Sequence, residues 1–182
     1  MMIIDLLKYF ARFPRKAGVL SMFANGGSDF PRYAELSGFV RNLPEAVIPE
    51  IENFVFGQSF DHVKQCIDRI TGSYLFVDYG EFSSGRTARN SIIDSQKLAA
   101  TVAIKLTDSA DIVETAIASD TALSLLADLR KRLILDSRSE ELPWLDKMSD
   151  SHEIIPFVSP EFKSIGWTLM FSASASDWFD VG

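Results

Sequence analysis

Tyr74-Leu75-Phe76-Val77-Asp78-Tyr79 is apolar at nearly every position. A short run this rich in aromatic and branched residues predicts a strand, and apolar side chains on both faces place it centrally in a sheet. Residues 96–106 follow a different rule. Leu98, Ala100, Val102, Ile104 and Leu106 alternate with Gln96, Ala99, Thr101, Ala103 and Lys105, the parity shifting once near Lys97. Period-two alternation predicts a half-buried antiparallel strand. Residues 81–92, which overlap the polar, Gly/Ser-rich GEFSSGRTARNS (80–91), join the two as the long loop of an extended hairpin.

A second strand pair closes the chain. Ile154–Val158 precedes a Ser159-Pro160 break, after which Ile165, Trp167, Leu169 and Phe171 share one strand face. Helical spacing fills the space between the pairs. Ser109 or Asp108 caps a turn around Ile112, Val113 and Ile117. Ser119 or Asp120 then opens an amphipathic helix through Leu123, Leu126, Leu129 and Leu133 that ends near Asp136. Upstream, Ile3, Leu6, Leu7, Phe10 and Phe13 predict a helix before Pro14, and Ser59 to Ile70 a second, with Gly72 just past its end. The expected architecture is α+β: a single antiparallel sheet with helices packed on one face, formed by one domain over 1–182. Residues 1–45 form an N-terminal arm or helical subregion on the main body.

Composition narrows the function. The 182 residues carry a net charge of −7, and the pI is near 4.8. The densest basic clusters, Arg12-Phe13-Pro14-Arg15-Lys16 and Arg130-Lys131-Arg132, are short, so nucleic-acid binding is not expected. Cys66 is the one cysteine, which excludes an intrachain disulfide and favours a reducing compartment. The N-terminus lacks a basic lead before its apolar run and Asp5 interrupts that run, unlike a signal peptide. No apolar stretch approaches the roughly 20 residues that span a bilayer. The expectation is a cytoplasmic protein with no membrane partner.

Several groups invite a chemical reading. His62 and Cys66, four apart on a predicted helix, suit a metal or a thiol–imidazole pair. With one further His and no second Cys, the favoured reading is a small buried Cys66 beside a surface His62. Asp78, set in an apolar strand and followed by Glu81, suggests paired carboxylates. A strand-end carboxylate bonded to a turn or to Arg86 explains it more simply. Asn25-Gly26-Gly27 and Gly80…Gly85-Arg86 match no phosphate-binding pattern, and Gly-x-Ser-x-Gly is absent. No catalytic, cofactor-binding or metal-binding residues are assigned. Candidates for contact with a partner are Arg86 and Arg89 of the 81–92 loop, Trp144 beside Pro143, and Trp178 and Phe179 of the tail. Packing of Trp144, Trp178 and Phe179 onto the molecule's own core remains open.

In element order, SYLFVDYGEF (73–82), KLAATVAIKL (97–106), TALSLLADLRKRLIL (121–135) and IGWTLMF (165–171) resemble the tail-terminator and minor tail proteins that complete phage tails. The likeness covers a little over half the chain. It implies a non-enzymatic structural protein of a phage or prophage that self-associates into a ring, contacts other tail proteins and ends in the virion. The alternative expectation is a binding module holding a small molecule or peptide on its sheet face. An enzyme using Asp78 and Glu81 ranks last.

Overall fold

A computed structural model describes residues 3–23, 27–86, 92–139, 141–142, 144–145 and 151–175. The two signature strands form where expected, as β2 (Ser73–Asp78) and β4 (Ile92–Lys105), and pair antiparallel from Ser73↔Ile104 to Asp78↔Ala99. The late hairpin is β5 (His152–Ser159) with β6 (Ser164–Ala175), and β6 lies along β4 for twelve residue pairs. A further strand, β1 (Asn53–Phe56), completes one edge, giving the order β1-β2-β4-β6-β5.

The protein is α+β, but the sheet is mixed. β1 runs parallel to β2, with Phe54 opposite Leu75. Parallel neighbours need a crossover, and α4 (Phe60–Ile67) supplies it. This crossover also corrects the expectation of helices on one face only. Val63 and Ile67 of α4 pack with Val55, Tyr74, Ala103 and Phe162 on one side. Leu75, Val77, Leu98, Ala100, Val102, Leu169 and Phe171 face the other. The larger core there is closed by α1 (Ile3–Phe10) through Leu6 and Phe10, and by α5 (Ile112–Asp136) through Leu126, Leu129 and Leu133. α2 (Lys16–Leu20), a 3-10 turn (Ser21–Phe23) and α3 (Pro31–Arg41) complete the N-terminal part. The last turn of α5 is tied to α1 by Asp136, whose carboxylate accepts from Tyr9 Oη at 2.9 Å, Arg12 Nη2 at 3.0 Å and Arg132 Nε at 3.0 Å. Burial, then the Asp136 charge and hydrogen bond, hold the Tyr9 phenol well above its usual range.

Two local expectations change. Much of the 81–92 segment is a strand: β3 (Phe82–Arg86) pairs with the start of β4. Between Asp78↔Ala99 and Phe82↔Gln96, residues 79–81 oppose only 97 and 98, which is a β-bulge. Gly80 occupies it at φ 26°, where a Cβ would lie 2.3 Å from the Lys97 carbonyl. The second change is in α5, one continuous helix rather than a turn followed by a helix.

Tyr74 is fully buried and its hydroxyl has no hydrogen-bond partner among the described residues. Ser164 lies near enough to favour the phenolate slightly, but its hydroxyl donates to the Phe162 carbonyl at 2.7 Å. Desolvation pushes the phenol up to about 12. Because the phenol ionises more easily in the unfolded chain, stability is unaffected by its titration below about pH 10 and falls as pH rises from there toward the folded value. The buried, unpaired hydroxyl carries a desolvation cost at every pH, so Tyr74→Phe should raise stability by about 1 kcal/mol, or roughly 2–4 °C in melting temperature. It should also flatten the loss of stability above pH ~10. A variant melting below the wild type would show that the hydroxyl contributes to the fold.

Candidate functional site

The start of α5 is firmly built, yet nothing among the described residues covers it. Asp111 Oδ1 accepts from the backbone N–H groups of Val113 and Glu114, each at 2.8 Å, and Glu114 Oε2 accepts from the Asp111 N–H at 3.0 Å. This reciprocal capping box stabilises the first turn whatever lies beneath it. Farther on, Trp167 Nε1 donates to the Ser119 carbonyl and hydroxyl at 3.1 Å, pinning the helix to β6. Ile112 is nevertheless 85% exposed, Val113 61% and Ile117 62%. The first buried residue of the helix is Ala122. At 1.5 Å per residue the uncovered part, 112–121, is about 15 Å long. Its charges are all acidic, Glu114 and Asp120 with Asp111 at the cap, and no Lys or Arg occurs between Lys105 and Arg130.

β5 adds to this surface. It is the terminal strand of the sheet, and Ile154 and Val158 are exposed, Val158 at 68%. Pro156 has no N–H to give to β6, so its position points to the open edge, the arrangement that keeps proline in edge strands. Pro156 and Val158 are the cross-strand partners of Trp167 and Ile165. They therefore share the sheet face of Trp167, the residue that pins α5. The overhang and the outer strand present apolar side chains on one side of the molecule. Soluble monomers rarely leave such clusters uncovered.

The residues singled out from the sequence fall elsewhere. Trp144 is buried, its ring edge-on to Tyr9 at 5.2 Å, and so belongs to the core rather than to a partner surface. Arg86 is exposed at the end of β3, opposite Ile92. Arg89, Trp178 and Phe179 lie outside the described residues. His62 and Cys66 are both on the outer side of α4, which corrects the expectation of a buried Cys66: the helix turns Val63 and Ile67 inward instead. Among the described residues no group of three or more His, Cys, Asp or Glu could hold a metal ion. Asp78 has a local task, its Oδ1 accepting from the Gly80 N–H at 3.0 Å and so bracing the bulge. Glu81 takes part through its carbonyl, which accepts from the Lys97 N–H at 3.1 Å. Sequence reasoning passed over Ile112, Val113, Ile117 and Val158. The available signal was a capped helix start in which Val113 and Ile117 fall off the core-facing spacing of Leu126, Leu129 and Leu133.

Among the described residues no helix is long and apolar enough to cross a membrane. No family model, curated protein or solved structure matches this chain.

Proposed function

We propose that the chain is a non-enzymatic assembly protein that associates with further copies of itself through the α5 overhang and the β5 edge. The observation that carries this reading is the exposure of Ile112, Val113 and Ile117 on a helix start that is capped and pinned. A rigid apolar element binds at little cost in ordering entropy. Completion of a phage tail is the specific form of this role that the element order between Tyr74 and Phe171 favours. Self-association into a ring and contact with other tail proteins belong to that proposal.

The alternative, a small-molecule site on the sheet, has less support. The pocket beside the start of β5, lined by Lys97, His152 and Met170 among others, holds about 280 Å³. Ligand pockets ordinarily run from about 300 to 1,000 Å³.

Light scattering on the eluting protein tests the proposal. The wild type should show a molar mass well above 20.3 kDa, and Ile112→Asp/Ile117→Asp should return it to that value. Both side chains are exposed, so the double variant should melt within about 0.5 kcal/mol of the wild type. A wild type of 20.3 kDa at every concentration would defeat the proposal.

A further inference from the structure

The acidic overhang does not suit pairing with its own image, because a two-fold contact through this surface would set Asp111, Glu114 and Asp120 against their copies. A complementary surface lies at the other end of the same helix. Arg12 and Lys16, from one basic cluster of the sequence, and Arg132, from the other, line a pocket of about 220 Å³. Leu43, Pro44 and Val47 form its apolar wall. That wall is held in place: Val47 N–H donates to the Arg12 carbonyl at 3.0 Å and Ile48 N–H to the Phe13 carbonyl at 2.9 Å.

The charge balance of the pocket favours an acidic visitor. Asp136 offsets one of the two guanidinium groups and Glu45 is the acidic lining residue, which leaves the rim net positive in a chain of net charge −7. Arg12 and Arg132 each bond Asp136 through one nitrogen, and a guanidinium carries five N–H donors. The volume suits one or two aliphatic side chains better than a drug-sized molecule. Anchors that fill well-packed pockets, ringed by contacts that exclude water, form the centre of an interface, and Arg is enriched there.

Building on the self-association proposed above, we propose that Val113 and Ile117 of one copy, four apart on one face of α5, dock in the Arg12–Lys16–Arg132 pocket of the next, with Glu114 meeting its basic rim. Residues 112 and 132 are about 30 Å apart along α5, so the two surfaces of one chain cannot meet each other. The contact is head-to-tail. Every copy in a chain of such contacts keeps both a donor and an acceptor surface, so assembly passes beyond the dimer.

Mixing two blocked variants tests this arrangement. Val113→Asp/Ile117→Asp removes the head, and Lys16→Glu/Val47→Asp removes the pocket. Lys16 donates to the Arg41 carbonyl at the surface and Val47 is exposed, so the second variant should fold. Each alone should run at 20.3 kDa, while an equimolar mixture should give a species of twice that mass and nothing larger. The heterodimer itself demonstrates that both variants are folded. The milder Lys16→Gln should weaken wild-type association several-fold without abolishing it. If the pocket variant alone assembles as the wild type does, or the mixture stays monomeric while the wild type assembles, the head-to-tail contact is wrong and self-association stands. If the wild type is itself monomeric, both proposals fall.

Discussion

Gly166→Ala should lower the stability of the fold by about 3 kcal/mol, which for a chain of this length is roughly 6–12 °C in melting temperature. Gly166 sits on β6 directly opposite Ala103 of the central strand β4. A Cβ at this position would lie 2.1 Å from the Val102 carbonyl oxygen, 2.6 Å from the Ala103 Cα and 2.9 Å from its Cβ. Two of these atoms are backbone, so no side-chain rotation relieves the clash. The strands must separate locally, in the longest ladder of the sheet. Thermal or urea unfolding followed by circular dichroism reads the loss. A midpoint unchanged from the wild type would mean that β4 and β6 are not in this register.

The next largest effect is expected from Asp136→Ala. The carboxylate accepts from Tyr9, Arg12 and Arg132, and its own side chain is only 11% exposed. Removing it leaves the Tyr9 hydroxyl unpaired in a buried site and two guanidinium groups facing each other. Removal of one partner from a buried pair costs about 3–5 kcal/mol, and the partial exposure of both arginines places this case at the low end, about 3 kcal/mol. Asp136→Asn, which still accepts from Tyr9, should lose about half as much. Urea titration with the slope held fixed decides the matter. An alanine variant within about 0.5 kcal/mol of the wild type would show that α1 is held to α5 by packing alone.

What the sequence made legible was local. The apolar run of β2, the alternation of β4 and β6 and the leucine spacing of α5 each follow from one residue's relation to its near neighbours. β1 was missed because its identity as a strand depends on pairing with β2 across the α4 crossover, which no local pattern encodes. β3 was missed because Ser83, Ser84 and Gly85 have little strand preference of their own. It forms by pairing with β4, where Ser83 and Ser95 share a hydroxyl hydrogen bond at 2.8 Å and Ser84 donates to Asp94. Trp144 was misplaced since only the fold reveals that Tyr9 of α1 waits beside it. The start of α5 was divided into a turn and a helix for a reason that bears on function: its apolar residues Ile112, Val113 and Ile117 face no core among the described residues. Of the proposed contact surface, the two basic clusters were visible in the sequence, but their convergence on one pocket was not.

Hydrogen exchange of the backbone amides of 112–121, compared between dilute and concentrated protein, asks directly whether this helix end is covered by another copy. Exchange there should slow as concentration rises, while the amides of 123–135, already packed against the sheet, should not change. Equal exchange of 112–121 at both concentrations, in a protein shown to be associated at the higher one, would contradict the account by placing the contact elsewhere.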